Sequence, residues 1–271
     1  MVVDPPWTAV YARPDAEALC LDVLAPRAPA APAPAIVHLH GGAFIRGRRD
    51  PEQNRLLAEC GFVTVSADYR LAPAATFPGQ LHDAKAAVRW IRAHAGELGV
   101  DPTRIGVWGE SAGGQLAALL GTTGDTPELE GDGGWAEHSS SVQAVYVGCA
   151  VTDMFEQQRL VPVGDPPGAI EALIGGPLDE HADVARAAGA VTHVHPGCPP
   201  FLIVHGDQDR PVHVRNSELL YAALLAAGCD AAFLRLARAP HLGMRGAPRL
   251  SRLRADFFER KLRPTRSSDT W

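Results

Sequence analysis

The stretch Arg104-Ile-Gly-Val-Trp-Gly-Glu-Ser111-Ala-Gly-Gly-Gln-Leu-Ala-Ala-Leu-Leu120 limits the fold of this chain more than any other. An apolar run containing β-branched residues ends at a serine between glycines, and a helix of small and aliphatic residues begins at once. Arg104 to Trp108 follows the Asp101-Pro102 turn signal and reads as a buried parallel strand. Ala112 to Leu120 is apolar nearly all round, so the helix it predicts must be covered on most sides. Where a strand turns this sharply into a buried helix, the backbones pass too closely for side chains. Gly109 and Gly113, two residues either side of Ser111, meet that need. The pentapeptide alone is weak, because 27 glycines in 271 residues allow a chance match. The strand before it and the helix after it carry the reading of a nucleophile elbow.

Further apolar runs at Ala18 to Leu24, Ile36 to Leu39, Phe62 to Ala67, Val142 to Val147, Pro200 to His205 and Ala231 to Leu236 predict strands. Helical patterns alternate with them at about Pro51 to Cys60, Pro78 to Ala95, Ser111 to Leu120, Val214 to Ala227 and Pro248 to Leu262. This alternation predicts an α/β fold, a mainly parallel central sheet with helices on both faces, in a single domain over residues 1–271. Pro26 to Pro34 is a surface connection between early strands. Two segments break the rhythm. Thr122 to Ser141, rich in Gly, Asp and Ser, is expected to be a mobile loop, and residues 155–188 carry short amphipathic pieces between prolines, as a cap or lid insertion would.

A net charge of −6 gives nucleic acid no broad reason to bind, and the basic stretch Arg245 to Arg266 reads as a solvated helix face. The longest apolar runs are too short to cross a bilayer. Met1 to Val10 lacks the basic and apolar segments of a secretory signal, so the expected compartment is the cytoplasm. Five dispersed cysteines, odd in number and never at metal-ligand spacing, are expected to be reduced thiols, with neither a metal nor a cofactor implied. Cys149, near a predicted strand end, reads as a small packing residue that could also line the site.

A serine hydroxyl is a poor nucleophile at neutral pH and needs an imidazole to take its proton and a carboxylate to orient that imidazole. The run Phe201-Leu-Ile-Val-His-Gly-Asp-Gln-Asp209 is a buried strand ending in a glycine turn that offers Asp207 and Asp209. After the last predicted strand comes Ala237-Arg-Ala-Pro-His241, with no histidine beyond it, which makes His241 the candidate base. Developing charge on an attacked carbonyl needs backbone N–H donors. Ala112, at the start of a helix, is one source, and the side-chain-free Gly41 and Gly42 in His40-Gly-Gly-Ala-Phe44 are the other. His40 itself reads as a loop brace.

These residues resemble the α/β-hydrolase superfamily, in its His-Gly-Gly carboxylesterase branch of hormone-sensitive-lipase-like enzymes and bacterial acetyl xylan and feruloyl esterases. The likeness rests on His40 to Phe44, Asp68-Tyr-Arg-Leu-Ala-Pro73, Phe77-Pro78 with Asp83, Gly106 to Gly114, and His205 to Asp209. It implies the chain order serine, acid, histidine. It also implies an acid three residues after the turn glycine, which selects Asp209 and leaves Asp207 to hold the loop through backbone amides. Tyr69, Arg70 and Asp83 are implied as braces beneath the site. Two departures concern substrate: Cys149-Ala-Val-Thr-Asp153 stands where relatives carry a Gly-Pro-Thr-Asp turn, and Ala239 and Leu242 stand where they place glycines around the histidine.

The expected function is a cofactor-independent serine carboxylesterase acting on small or medium acyl esters of small-molecule substrates, with catalytic Ser111, Asp209 and His241 and an oxyanion hole at Gly41, Gly42 and Ala112. The same machinery would serve an amide hydrolase such as an aryl formamidase or small peptidase, or a biosynthetic acyltransferase or cyclase that keeps water from the acyl-enzyme. A non-catalytic binding module on the same scaffold would be expected to have lost a triad member. Neither nucleic acid nor membrane is an expected partner, and one chain does not determine an oligomeric state.

Overall fold

The computed structural model describes residues 1–27, 32–164, 166–241 and 247–263. Its strands are β1 (Trp7–Ala12), β2 (Leu19–Leu24), β3 (Ala33–Leu39), β4 (Val63–Ala67), β5 (Val100–Glu110), β6 (Ala144–Gly148), β7 (Phe201–Gly206) and β8 (Ala231–Leu236). They form one sheet in the order β1-β2-β4-β3-β5-β6-β7-β8, antiparallel between β1, β2 and β4 and parallel from β4 through β8. The helices are α1 (Arg55–Glu59), α2 (Gly79–Ala93), α3 (Ala95–Leu98), α4 (Ala112–Thr122), α5 (Met154–Leu160), α6 (Ala169–Ile174), α7 (Ala182–Ala187), α8 (Arg215–Ala226) and α9 (Pro248–Leu262).

The parallel centre follows from sequence. Every residue of β3, β4, β6 and β7 is buried, as strands covered on both faces require, and their continuous Val, Ile, Ala and Leu content supplies that. α9 lies close against β5 because Gly106 has no side chain; a Cβ there would stand 2.7 Å from the Phe258 ring. On the same side Trp108 is buried, donates to Asn54 Oδ1 at 2.8 Å and carries the Arg254 guanidinium 3.4 Å above its ring.

Three local readings change. β1 is a strand beyond those predicted, which start at Ala18: as an edge strand its first residues are largely exposed, so no apolar run marks it. β5 starts at Val100, before the turn signal: Asp101 Oδ1 accepts from the Thr103 amide at 2.9 Å and this turn is absorbed where the β3–β5 register shifts. Thr122 to Ser141 is tied down rather than loose. Lys85 and Arg89 are buried on α2 and need partners; the segment supplies the Thr123 carbonyl and the Glu130 carboxylate, the latter 2.8 Å from Arg89. Among the described residues no helix is long and apolar enough to cross a membrane.

The switch in strand order lies at β3, where β4 pairs on one side and β5 on the other. Open parallel sheets form crevices at the carboxyl ends of such strands, so the loops after β3 and β5 face one another there.

Candidate active site

Ser111 sits between β5 and α4 with φ 57° and ψ −123°, a conformation that costs a non-glycine residue on the order of 1–3 kcal/mol. The surroundings enforce it. A Cβ on Gly109 would stand 2.3 Å from the Gly113 backbone, and one on Gly113 would stand 2.0 Å from the Leu39 carbonyl oxygen. The Ser111 amide donates to the Gly148 carbonyl at 2.9 Å, tying the elbow to the end of β6.

His241, more than a hundred residues downstream, places Nε2 3.0 Å from Ser111 Oγ and Nδ1 2.7 Å from Asp209 Oδ2. A carboxylate can only accept, so Nδ1 carries the proton and Nε2 is free to accept from the serine hydroxyl. The Asp209 carboxylate is fully buried and the imidazole nearly so, at 13% exposure, which keeps competing water from the carboxylate side. Asp207 stands apart: its Oδ1 accepts from the Arg238 amide at 2.6 Å and braces the histidine loop. The three residues expected to act together are brought together, and the fourth has the holding part expected of it.

A second imidazole went unassigned in the sequence reading. His205, at the end of β7, is buried with Nε2 3.1 Å from Asp209 Oδ2 and 3.0 Å from the Val212 carbonyl. Both neighbours are acceptors, so Nε2 bears the proton, and Nδ1 accepts from Ser217 Oγ of α8 at 2.7 Å. Asp209 Oδ1 accepts from the Val212 amide at 2.8 Å. Burial alone would push the Asp209 carboxyl up, but hydrogen bonds from His205, His241 and Val212, with the charge of His241, outweigh it and hold its pKa below the usual carboxylate value. The signal in the sequence was a histidine four residues before the acid, inside an otherwise apolar strand.

The loop after β3 is braced as the resemblance implied. Tyr69 Oη donates to the His40 carbonyl at 2.7 Å and its ring stacks on His40 with centroids 4.2 Å apart. Asp83, buried on α2, accepts from the Arg70 amide and guanidinium, each at 2.9 Å. Gly42 has φ 137°, and a Cβ there would collide with the Arg46 carbonyl oxygen at 1.9 Å. Gly41, Gly42 and Ala43 line the cleft with Ser111, and Ala43, which the sequence reading left without a role, is also in a left-handed conformation.

Two spaces meet at Ala43, Ser111 and His241. One is a cleft of about 910 Å³ walled by polar and charged residues, among them Asp22, Arg46, Arg48, Asp50 and Glu110. The other is a recess of about 50 Å³ with an apolar wall of Phe44, Ala112, Val151, Ile170 and Val212. Val151 occupies the turn where the sequence departs from its relatives, and Ile170 comes from α6, inside the proposed insertion. That insertion is anchored at the acid loop: Gln157 Nε2 of α5 donates to the Pro211 carbonyl at 2.8 Å, and Asn216 Nδ2 of α8 donates to Gln157 Oε1 at 2.8 Å. Leu242, expected to narrow the site, lies outside the described residues.

Cys149 is buried at a left-handed position, and its thiol donates to the His241 carbonyl at 3.4 Å. Donor atoms of Cys149, Asp209 and His241 lie within 4.8 Å of one another. The 2.7 Å Nδ1···Oδ2 bond leaves no space for an ion between histidine and carboxylate, since metal bonds of about 2 Å to each would hold those atoms farther apart. None of the five cysteines forms a disulfide with another described residue.

The family model for BD-FAE matches residues 21–224, which takes in the elbow and Asp209. The chain belongs to the BD-FAE family. Among curated relatives, the probable carboxylic ester hydrolase LipM of Mycobacterium tuberculosis is 31% identical over 188 residues, 68% of this chain and 43% of that protein. Esterase LipC of the same organism is 32% identical over 73% of this chain and 50% of its own length. The chain thus spans about half the length of the curated relatives it matches. Solved structures match over nearly the whole chain. A truncated carbohydrate esterase from gut microbiota superimposes with a TM-score of 0.85 at 26% identity, over 95% of this chain and 96% of that one. The propionate-bound esterase 2 of Thermogutta terrifontis gives 0.77 at 30% identity, over 96% of each. The fold is that of an α/β-hydrolase. His241 lies beyond the matched family segment, and the structure places it beside Ser111.

Proposed function

We propose that this chain is a cofactor-independent serine carboxylesterase that removes short acyl groups from polar alcohols. Ser111 Oγ attacks the acyl carbon while His241 Nε2 takes its proton, and Asp209 holds and stabilises the imidazolium. The amides of Ala112, Gly41 and Gly42 face the developing oxyanion, each such donor being worth roughly 10²–10³ in kcat. His241 then gives its proton to the departing alcohol oxygen, and water, activated by the same nitrogen, releases the acid from Ser111. The acyl group occupies the apolar recess of about 50 Å³, which has room for little beyond an acetyl or propionyl chain, and the alcohol occupies the wide polar cleft.

The observation that carries this reading is the 3.0 Å approach of His241 Nε2 to Ser111 Oγ, with Asp209 behind it at 2.7 Å. Esterase names among the relatives support it. Hydrolysis of p-nitrophenyl acetate tests it: Ser111→Ala should cut kcat on the order of 10⁶-fold while circular dichroism stays unchanged. A folded Ser111→Ala protein with wild-type turnover would reject the assignment.

A further inference from the structure

The loop after β3 carries three arginines in the run Arg46-Gly47-Arg48-Arg49, and the structure treats them differently. Arg49 is neutralised: its guanidinium lies 3.0 Å from Asp22 Oδ1 and bonds Asp68. Arg46 and Arg48 are exposed and line the same cleft as Ser111 and His241, and their side chains have no hydrogen bond or ion pair with any described residue.

The backbone that presents them is fixed at both ends. The Ile45 and Arg46 amides donate to the Gly42 carbonyl at 3.3 and 3.1 Å. Gly47, at φ +112°, lies so close to His40 that a Cβ would stand 2.3 Å from its Nδ1. Beyond it, the Arg49 amide donates to Asp68 Oδ1 at 2.7 Å and the Asp50 amide to Ser66 Oγ at 2.8 Å. The cleft's carboxylates are already committed. Asp22 holds Arg49 and accepts from Thr8 Oγ1, Asp50 accepts from the Glu52 amide and Gln53 Nε2, and Glu110, packed over Gly148, is itself engaged. Arg46 and Arg48 therefore stand on a fixed backbone in the cleft that holds the nucleophile, in a chain of net charge −6, with no ion pair from either guanidinium to a described residue.

We propose that Arg46 and Arg48 form a subsite for an anionic oxygen group, carboxylate or phosphate, carried by the alcohol part of the ester. The planar guanidinium fork is suited to either group. This inference rests on the esterase reading for the direction in which the substrate lies, with the acyl end in the small recess and the charged end in the wide cleft.

The test compares kcat/KM for three acetyl esters, para-acetoxybenzoate, para-acetoxyphenyl phosphate and the neutral methyl para-acetoxybenzoate, in wild type and in Arg46→Gln/Arg48→Gln. The ratio of an anionic to the neutral ester should fall about tenfold in the double variant, the scale of losing charge-assisted hydrogen bonds. The ester with the larger fall identifies the anion. A ratio equal in the two proteins for both anions would overturn the subsite. If wild type hydrolyses none of the three esters, the esterase reading fails, and calorimetric titration with para-hydroxybenzoate and para-hydroxyphenyl phosphate decides the subsite separately. Binding weakened by the double substitution would uphold it, and absent or unaltered binding would overturn it.

Discussion

The two spaces that meet at Ser111 are built on opposite principles. The recess of about 50 Å³ has an apolar wall of buried side chains, Val151 after β6, Val212 in the loop that donates to Asp209 and Ile170 on α6, with Gln157, Gln158 and Glu171 also in its lining. The cleft of about 910 Å³ is walled by loops carrying arginine and carboxylate groups. A close-packed apolar pocket selects by exclusion, because an added methylene has nowhere to go. An open polar cleft selects by charge and hydrogen bonding and leaves size largely unspecified. One site can therefore be strict toward the acid and permissive toward the alcohol.

The largest expected effect comes from the junction itself, where a change should harm every substrate alike. Asp209→Asn removes the acceptor that fixes the His241 tautomer and should lower kcat about 10⁴-fold for all esters. A loss confined to one acyl length would mean that the two spaces do not share this triad.

A smaller effect, confined to one space, is expected from Ile170→Ala. Enlarging the recess should raise kcat/KM for p-nitrophenyl hexanoate relative to the acetate by about tenfold, the scale set by a few methylenes in an apolar pocket. A chain-length series measures this. An unaltered ratio would show that the acyl chain lies elsewhere.

The smallest effect is expected at His205, a positioning residue that touches Asp209 but not the substrate. His205→Leu should lower kcat only a few-fold, in the range of one charge-assisted hydrogen bond. Its clearer mark is in pH dependence. Asp209 is held below its usual value, so it contributes stability above its unfolded pKa, near 3.8, and that contribution is lost as pH falls through the lower folded value. Removing the His205 bond raises the folded pKa toward the unfolded value, so in urea titrations the variant should lose less stability than wild type as pH falls below about 3.8 and on through the lowered folded value. Ser217→Ala, which frees His205 Nδ1, should act in the same direction more weakly. Equal pH dependence in all three proteins would leave His205 a packing residue only.

Most of the framework was legible in the sequence because burial on both faces writes continuous apolar runs, and glycines mark where backbones cross. α9 matches its expected bounds, Pro248 to Leu262, because proline suits a first helical turn and the amphipathic repeat persists to Leu262. Ser111, Asp209 and His241 were legible as residues at strand ends, and Asp207 holds the loop as expected. Other features left no local trace. The fastening of Thr122 to Ser141 depends on Lys85 and Arg89, which look like ordinary helix charges until α2 is buried. The tie from His205 to Asp209 and the sizes of the two spaces depend on side chains that only the fold brings together. The different fates of Arg46, Arg48 and Arg49 depend on where Asp22 and Asp68 come to lie.

Acid-quenched reaction with p-nitrophenyl acetate, followed by peptide mass spectrometry, tests the central claim most directly. The account requires one acetyl group on the peptide containing Ser111, formed in the wild type and absent from His241→Ala under the same conditions. Acetyl found on another residue while turnover continues, or equal labelling in the two proteins, would contradict it.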